Sequence, residues 1–184
     1  MVRVNWFRLG LIILFSLVLG LFLGSEIGMS VTPSLIQSVV KVYSPTTTKS
    51  QSLQIAYSLD SWIVGRNLNF ITSLALVVCE SHFDPKALSE TGAKGLWQLK
   101  EVAVRELERR YGVVIDRSRL FEIDYNCRWG TLSFRLCAVL AEGDREEAIA
   151  RYYYTTKWWK VDHCYVEKVM AVREKIANIL GKGK

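Results

Sequence analysis

Hydrophobic and polar positions divide this chain into an apolar run, a mixed stretch and a series of helical patterns. From Leu9 to Gly24 no charged residue occurs, and the next charge is Glu26. A membrane-spanning helix needs about 20 apolar residues, with a lower limit near ~17. With Trp6, Phe7 and Ser25 the run approaches that length. Arg3 and Arg8 precede it and would remain cytoplasmic. The pattern predicts a basic cytoplasmic end over 1–8 and an uncleaved transmembrane signal anchor over 9–25. A cleaved signal peptide is the rival reading, disfavoured because Phe22 and Leu23 stand where small residues are wanted. On either reading the remainder of the chain lies on the extracytoplasmic side.

Residues 26–52 are expected to form a stalk and linker. Ser30 to Tyr43 is mixed in character, suiting a juxtamembrane helix or an extended stalk, and Ser44 to Ser52 has linker composition. A compact domain is expected over 53–180, followed by a tail at 181–184. Inside it the apolar spacing predicts helices over Leu53–Ile63, Phe70–Cys79, Glu101–Tyr111, a segment through Trp129, Leu132, Leu136 and Leu140, Arg145–Tyr154, and a last helix through Val166 to Ile179 stopped by Gly181. Phe70 to Cys79 is apolar on every side, so it should be central and buried. Strand signals are confined to a short irregular or β stretch around Ser89 to Leu99. The fold class is therefore mainly α.

Composition adds limits. Half of the residues are hydrophobic and the formal charge is +6. Basic residues alternate with acidic ones, as in Glu101, Arg105, Glu106, Glu108, Arg109 and Arg110, which describes a solvated helix face and not a nucleic-acid surface. A mildly basic exported domain would still be drawn to polyanions such as the cell wall or lipid headgroups. Cys79, Cys127, Cys137 and Cys164 could form disulfides in an exported domain. Buried free thiols are the alternative. Cys127 and Cys137, if on one helix, are separated by about 15 Å of rise and cannot bridge. With no Cys-x-x-Cys pair and only His82 and His163, a zinc site is not expected, and no cofactor is implied.

The most informative residue is Glu80. It closes the apolar helical run and is followed at once by Pro85, Gly92 and Gly95. Pro85 prevents the helix from continuing, and the glycines let the backbone fold back towards the acid. Gln98 then returns a neutral amide to the same region. A carboxyl group at the end of a buried helix, at the lip of a cleft, is favoured in its protonated form and suited to donate a proton. Capping a helix or pairing with an arginine is the structural alternative for such a Glu.

The run Glu80-Ser81-His82-Phe83-Asp84-Pro85-Lys86-Ala87-Leu88-Ser89, with Gly92-Ala93-Lys94-Gly95-Leu96-Trp97-Gln98 after it, resembles the lytic transglycosylases with the soluble-type (SLT) catalytic domain, relatives of goose-type lysozyme. Asn126-Cys127-Arg128-Trp129-Gly130, Ala148-Ile149-Ala150-Arg151-Tyr152 and Tyr165-Val166-Glu167-Lys168-Val169 are similar to three further family blocks. The four lie in order over roughly 53–180. The resemblance implies a lysozyme-like α-rich domain acting on peptidoglycan, at the β-1,4 bond between N-acetylmuramic acid and N-acetylglucosamine. It implies Glu80 as catalytic acid and then base, Ser81 as the residue that orients it, and Gln98 and Tyr152 in the substrate cleft. Aromatic faces stack on sugar rings, and Trp158, beside Trp159, is expected to contribute one.

The chain departs from the family where Tyr153-Tyr154-Thr155 replaces an Asn-Ala-Gly sequence after Tyr152, where Trp97 replaces a frequent Met, and where Lys100-Glu101 replaces a frequent Pro. These changes bear on substrate preference and on the balance between transglycosylation and hydrolysis. A muramidase using water at the same bond is one alternative. A non-catalytic wall-binding component of a secretion or conjugation machine spanning the envelope is another. Expected partners are peptidoglycan strands and, through the N-terminal run, the membrane.

Overall fold

The computed structural model describes residues 32–64, 66–154 and 163–181. The predicted membrane anchor lies outside them, and among the described residues no helix is long and apolar enough to cross a membrane.

Seven α-helices are present among the described residues, in the order α1 (Pro33–Tyr43), α2 (Lys49–Ile63), α3 (Phe70–Ser81), α4 (Glu101–Tyr111), α5 (Ile123–Leu140), α6 (Arg145–Tyr154) and α7 (His163–Gly181), with a 3-10 turn at Arg117–Phe121 before α5. The mainly α expectation holds. The β character expected near Ser89–Leu99 is limited to two isolated antiparallel bridges, Leu88 with Lys94 and Lys94 with Leu99.

The first difference from the sequence reading is α1. Ile36, Val39 and Val40 recur at i, i+3 and i+4, so they share one helix face, and all three are fully buried. That face packs on α2 and also meets α7. Residues 33–43 are part of the compact body, which begins at Thr32, instead of a stalk outside it. The linker expected over Ser44–Ser52 shortens to a tight connection. Thr48 caps α2 by accepting a hydrogen bond from Gln51 N at 3.2 Å, satisfying an amide that has no intrahelical partner.

Asn69 starts α3 in the same way, accepting from Thr72 N at 2.9 Å. Every residue from Thr72 to Val78 is buried, as expected of a helix apolar all round. It packs mainly against α7. The helix stops at His82, which adopts the left-handed conformation (φ 50°), and Phe83 follows with φ 62°. Such values are uncommon outside glycine. They reverse the chain immediately after Glu80 and bury the Phe83 side chain completely.

The segment between α3 and α4 is seated on α5 through two close approaches. Asn126 Oδ1 accepts from Trp97 N at 2.9 Å, while its Nδ2 donates to Lys94 O at 3.0 Å and Leu120 O at 2.7 Å. All the hydrogens of one buried amide are thus used. Gly95 permits this contact, because a Cβ there would lie 2.3 Å from Asn126 Nδ2. One turn along α5, Gly130 makes room for the fully buried Trp97, whose Cγ would sit 2.1 Å from an added Cβ.

The open question over cysteines resolves for three of them. Cys79, Cys127 and Cys137 are free thiols. Burial raises the Cys79 thiol to about 11 and the Cys137 thiol to about 12, and pushes Cys127 up further. All three remain protonated and poorly nucleophilic near neutral pH.

Candidate active site

Glu80 occupies the last turn of α3, half-buried, beside a cleft that it lines together with Gln98, Lys100, Ser133, Tyr152 and Tyr153. Its partner comes from the far end of the chain. The Tyr165 hydroxyl, on the first turn of α7, donates a hydrogen bond to Glu80 Oε1. Among the described residues no arginine engages the carboxylate, so the ion-paired structural role does not describe this site.

The electrostatics are opposed. Burial raises the Glu80 pKa above the ordinary carboxylate range and is the leading effect. The Tyr165 hydrogen bond and the positive charges of Lys100 and Lys168 pull it back. The net is a carboxyl group that holds its proton more tightly than a solvated glutamate, as a general acid near neutral pH requires. Tyr165 itself is pushed far up by burial and by the neighbouring carboxylate, so it stays a donor. Glu80 is the only carboxylate among the described residues lining this cleft. Asp124, a distant candidate partner in sequence terms, accepts from Trp62 Nε1 at 2.7 Å on an exposed face.

The other residues singled out from the sequence act chiefly on the backbone of the turn region. The Ser81 hydroxyl is 2.8 Å from Leu96 O and 3.2 Å from Val77 O, and it makes these contacts instead of the expected bond to Glu80. It therefore ties the turn segment to the end of α3. Gln98 is held at φ 45°. Its Nε2 donates to Ala87 O and Gly95 O, both at 3.0 Å. Both amide hydrogens are consumed, so any contact it offers a ligand falls to Oε1. Tyr152 donates to Trp97 O at 2.6 Å, and its ring meets Trp97 and Phe134 edge-on at 6.2 Å and 5.8 Å. With Asn126, these side chains fix the carbonyls of residues 87 and 94–97 into one rigid cleft wall. Trp158 lies outside the described residues.

Two contributors were not given a role by the sequence. Tyr165 sat inside a recognised block, but nothing local to it points to Glu80. Lys100 stands where the family often has Pro. Its Nζ donates to Tyr153 O at 3.2 Å, and its charge faces Glu80. A larger cavity, about 390 Å³, lies at the other end of α3 beside Asn69 and Thr72, and none of the expected site residues lines it.

With this geometry in view, the comparisons with known proteins are decisive for the family. The family model described as the transglycosylase SLT domain matches residues 61–157, more than half of the chain. The chain belongs to the transglycosylase SLT domain family. Among solved structures, an inactive mutant of lytic transglycosylase Slt from Pseudomonas aeruginosa is similar, with a TM-score of 0.51 at 23% identity. The 70 kDa soluble lytic transglycosylase from Escherichia coli is similar with a TM-score of 0.52 at 17% identity. Each comparison covers 67% of this chain and 22% of the other. The chain thus matches about a fifth of those proteins' length, and at such identities the likeness is one of fold. A comparison with curated proteins finds no significant match. The SLT match includes Glu80, Ser81, Gln98 and Tyr152, whereas Tyr165 follows its last matched residue.

Proposed function

We propose that this SLT domain is a peptidoglycan lytic transglycosylase that uses Glu80 as its single acid and base. The supporting observation is the environment of Glu80, a carboxyl group with its pKa raised by burial, hydrogen-bonded by Tyr165, in a cleft with no second carboxylate among its described lining residues.

The reaction this arrangement suits begins with transfer of the Glu80 proton to the glycosidic oxygen between N-acetylmuramic acid and N-acetylglucosamine. The bond from the muramic C1 to that oxygen breaks, and its electron pair leaves with the N-acetylglucosamine 4-hydroxyl. The cation developing at C1 is stabilised by the oxygen of the substrate's own 2-acetamido group. This dispenses with the second enzyme carboxylate found in most glycosidases. Glu80, now a carboxylate, takes the proton from the muramic 6-hydroxyl as O6 attacks C1. The product is a 1,6-anhydromuramic end, no water is consumed, and Glu80 regains its proton.

The opposed electrostatics fit both halves of this cycle. Burial supports the protonated state needed first. The Tyr165 hydrogen bond and the charges of Lys100 and Lys168 support the carboxylate needed second. A pKa displaced far in either direction would serve one half and impair the other.

Since the substrate is a wall polymer, we place the domain outside the cytoplasm, held to the membrane by the apolar run at 9–25. Digestion of purified sacculi followed by mass spectrometry tests the reaction. Anhydro ends are expected. Reducing ends heavier by one water assign the chain as a hydrolase, and undigested sacculi refute the enzymatic reading.

A further inference from the structure

Tyr153 follows Tyr152 directly and stands where the family resemblance leads one to expect Asn. Its ring lies flat on that of Tyr165, with centroids 3.9 Å apart and planes 16° from parallel. Lys100 Nζ donates to the Tyr153 carbonyl at 3.2 Å and sits 5.2 Å from the same ring's centroid. Tyr165 in turn donates to Glu80. Contacts therefore run Lys100, Tyr153, Tyr165, Glu80, linking the N-terminus of α4, the end of α6, the start of α7 and the end of α3.

A phenol reaching across from one helix to a carboxylate on another must be held in one rotamer. Each freely rotating side chain loses entropy when fixed. A stacked neighbour that is itself anchored restricts the ring before the hydrogen bond forms. Tyr153 is placed to do this, and an Asn at the same position has no ring with which to stack.

We propose that Tyr153 is a positioning residue which, stacked on Tyr165 and anchored by Lys100, holds the Tyr165 phenol against Glu80. The proposal rests on the transglycosylase reading for its consequence in catalysis, though not for the contact itself. It differs from two simpler roles for a cleft tyrosine, stacking on a sugar ring or shielding Glu80 from water.

The groups facing Glu80 are Tyr165 and Lys168 on α7, Lys100 at the start of α4, Tyr152 on α6 and Cys79 on its own helix. Of these, Tyr165 provides the side-chain hydrogen bond. Removing that bond destabilises the carboxylate and raises the titration midpoint of Glu80. Removing a water shield has the opposite sign, because solvation favours the charged form.

The experiment is a titration of the full-length chain labelled with 13C at glutamate carboxyls, with the Glu80 signal assigned by its loss in Glu80→Gln. Tyr165→Phe is expected to raise the midpoint. Tyr153→Ala is expected to raise it in the same direction, Tyr153→Phe to keep the wild-type value, and the Tyr153→Ala, Tyr165→Phe double variant to go no further than Tyr165→Phe alone. Tyr153→Leu, which preserves bulk without a ring, replaces Tyr153→Ala if the latter does not fold. A midpoint unchanged or lowered in the ring-less variant overturns the proposal. In parallel, glycan cleavage should show a fall in kcat of about tenfold with KM near wild type, and this fall should vanish in the Tyr165→Phe background. A raised KM with unchanged kcat would instead assign Tyr153 to sugar stacking and also overturn it. If the wild-type chain cleaves no glycan, the transglycosylase reading fails while the titration still decides the positioning role.

Discussion

Tyr165 and Glu80, 85 residues apart in the chain, meet in one hydrogen bond from phenol to carboxylate. The bond joins the first turn of α7 to the last turn of α3. It makes the closing helix part of the site, beyond its service to the core through Val166, Val169 and Ile176. Tyr165→Phe keeps the ring and its packing while deleting the donor. A hydrogen bond to a charged group contributes about 1.5–3 kcal/mol, so glycan cleavage should fall roughly ten- to hundredfold. The same loss in the folded state should lower the melting temperature at neutral pH by several degrees, at about 2–4 °C per kcal/mol, and differential scanning fluorimetry alongside the rate measurement checks both.

Glu80 also carries a cost in stability. Its folded-state pKa lies above the unfolded value, so the folded state binds the proton more tightly. The stability linked to that proton is present below the ordinary carboxylate range and is lost as pH rises through the raised pKa. Glu80→Gln resembles the protonated acid at all pH values and can still accept from Tyr165. It should melt above the wild type at neutral pH, and the difference should shrink as pH falls through the raised Glu80 pKa and be gone below about 4. Melting curves across pH test this, and equal melting temperatures at every pH would show that Glu80 is not destabilised by burial.

Gly130 and Gly92 make a matched pair. At Gly130 an added Cβ falls 2.1 Å from Trp97 Cγ, whereas at Gly92, with φ 79°, it meets nothing within 4 Å. Gly130→Ala must displace a fully buried indole and should destabilise by about 1–3 kcal/mol or more. Because Trp97 adjoins Gln98 and offers its carbonyl to Tyr152, cleavage should fall as well. Gly92→Ala bears only left-handed backbone strain, about 1–2 kcal/mol, and should leave cleavage near wild type in the folded fraction. Denaturant unfolding of the two variants separates them.

The boundary at Thr32 gives a further expectation. A chain beginning at residue 49 lacks α1 and exposes the surface that Ile36, Val39 and Val40 cover. Each such side chain contributes about 1.5–3 kcal/mol on burial, a large part of the ~5–15 kcal/mol that stabilises a typical domain. It should melt roughly 10–20 °C below a chain beginning at residue 32. Equal melting would show that α1 is an accessory element.

The helices were legible where amphipathic spacing and stop signals coincide. Glu101–Tyr111 and Arg145–Tyr154 have the predicted ends, because Gly112 closes the first and Asp144 opens the second. α1 was ambiguous because a short apolar face looks alike whether it covers a core or lies beneath a membrane, and only its contact with α2 decides. Glu80 was legible from local features, the end of an apolar helix and a breaking turn. Ser81, Gln98 and Tyr152 were identified by type but not by partner, since their hydrogen bonds reach backbone carbonyls 11 to 55 residues away. Tyr165 carries no local signal for its role. Its partner is set by how α7 packs on α3.

The claim on which the account depends is that Glu80 moves the proton in glycosidic cleavage. The most direct measurement compares muropeptide release from purified sacculi by the wild-type chain and by Glu80→Gln, at equal concentrations of folded protein. The account predicts that the variant loses about 10²-fold or more of the rate while remaining folded. A folded Glu80→Gln protein releasing muropeptides at the wild-type rate would contradict it.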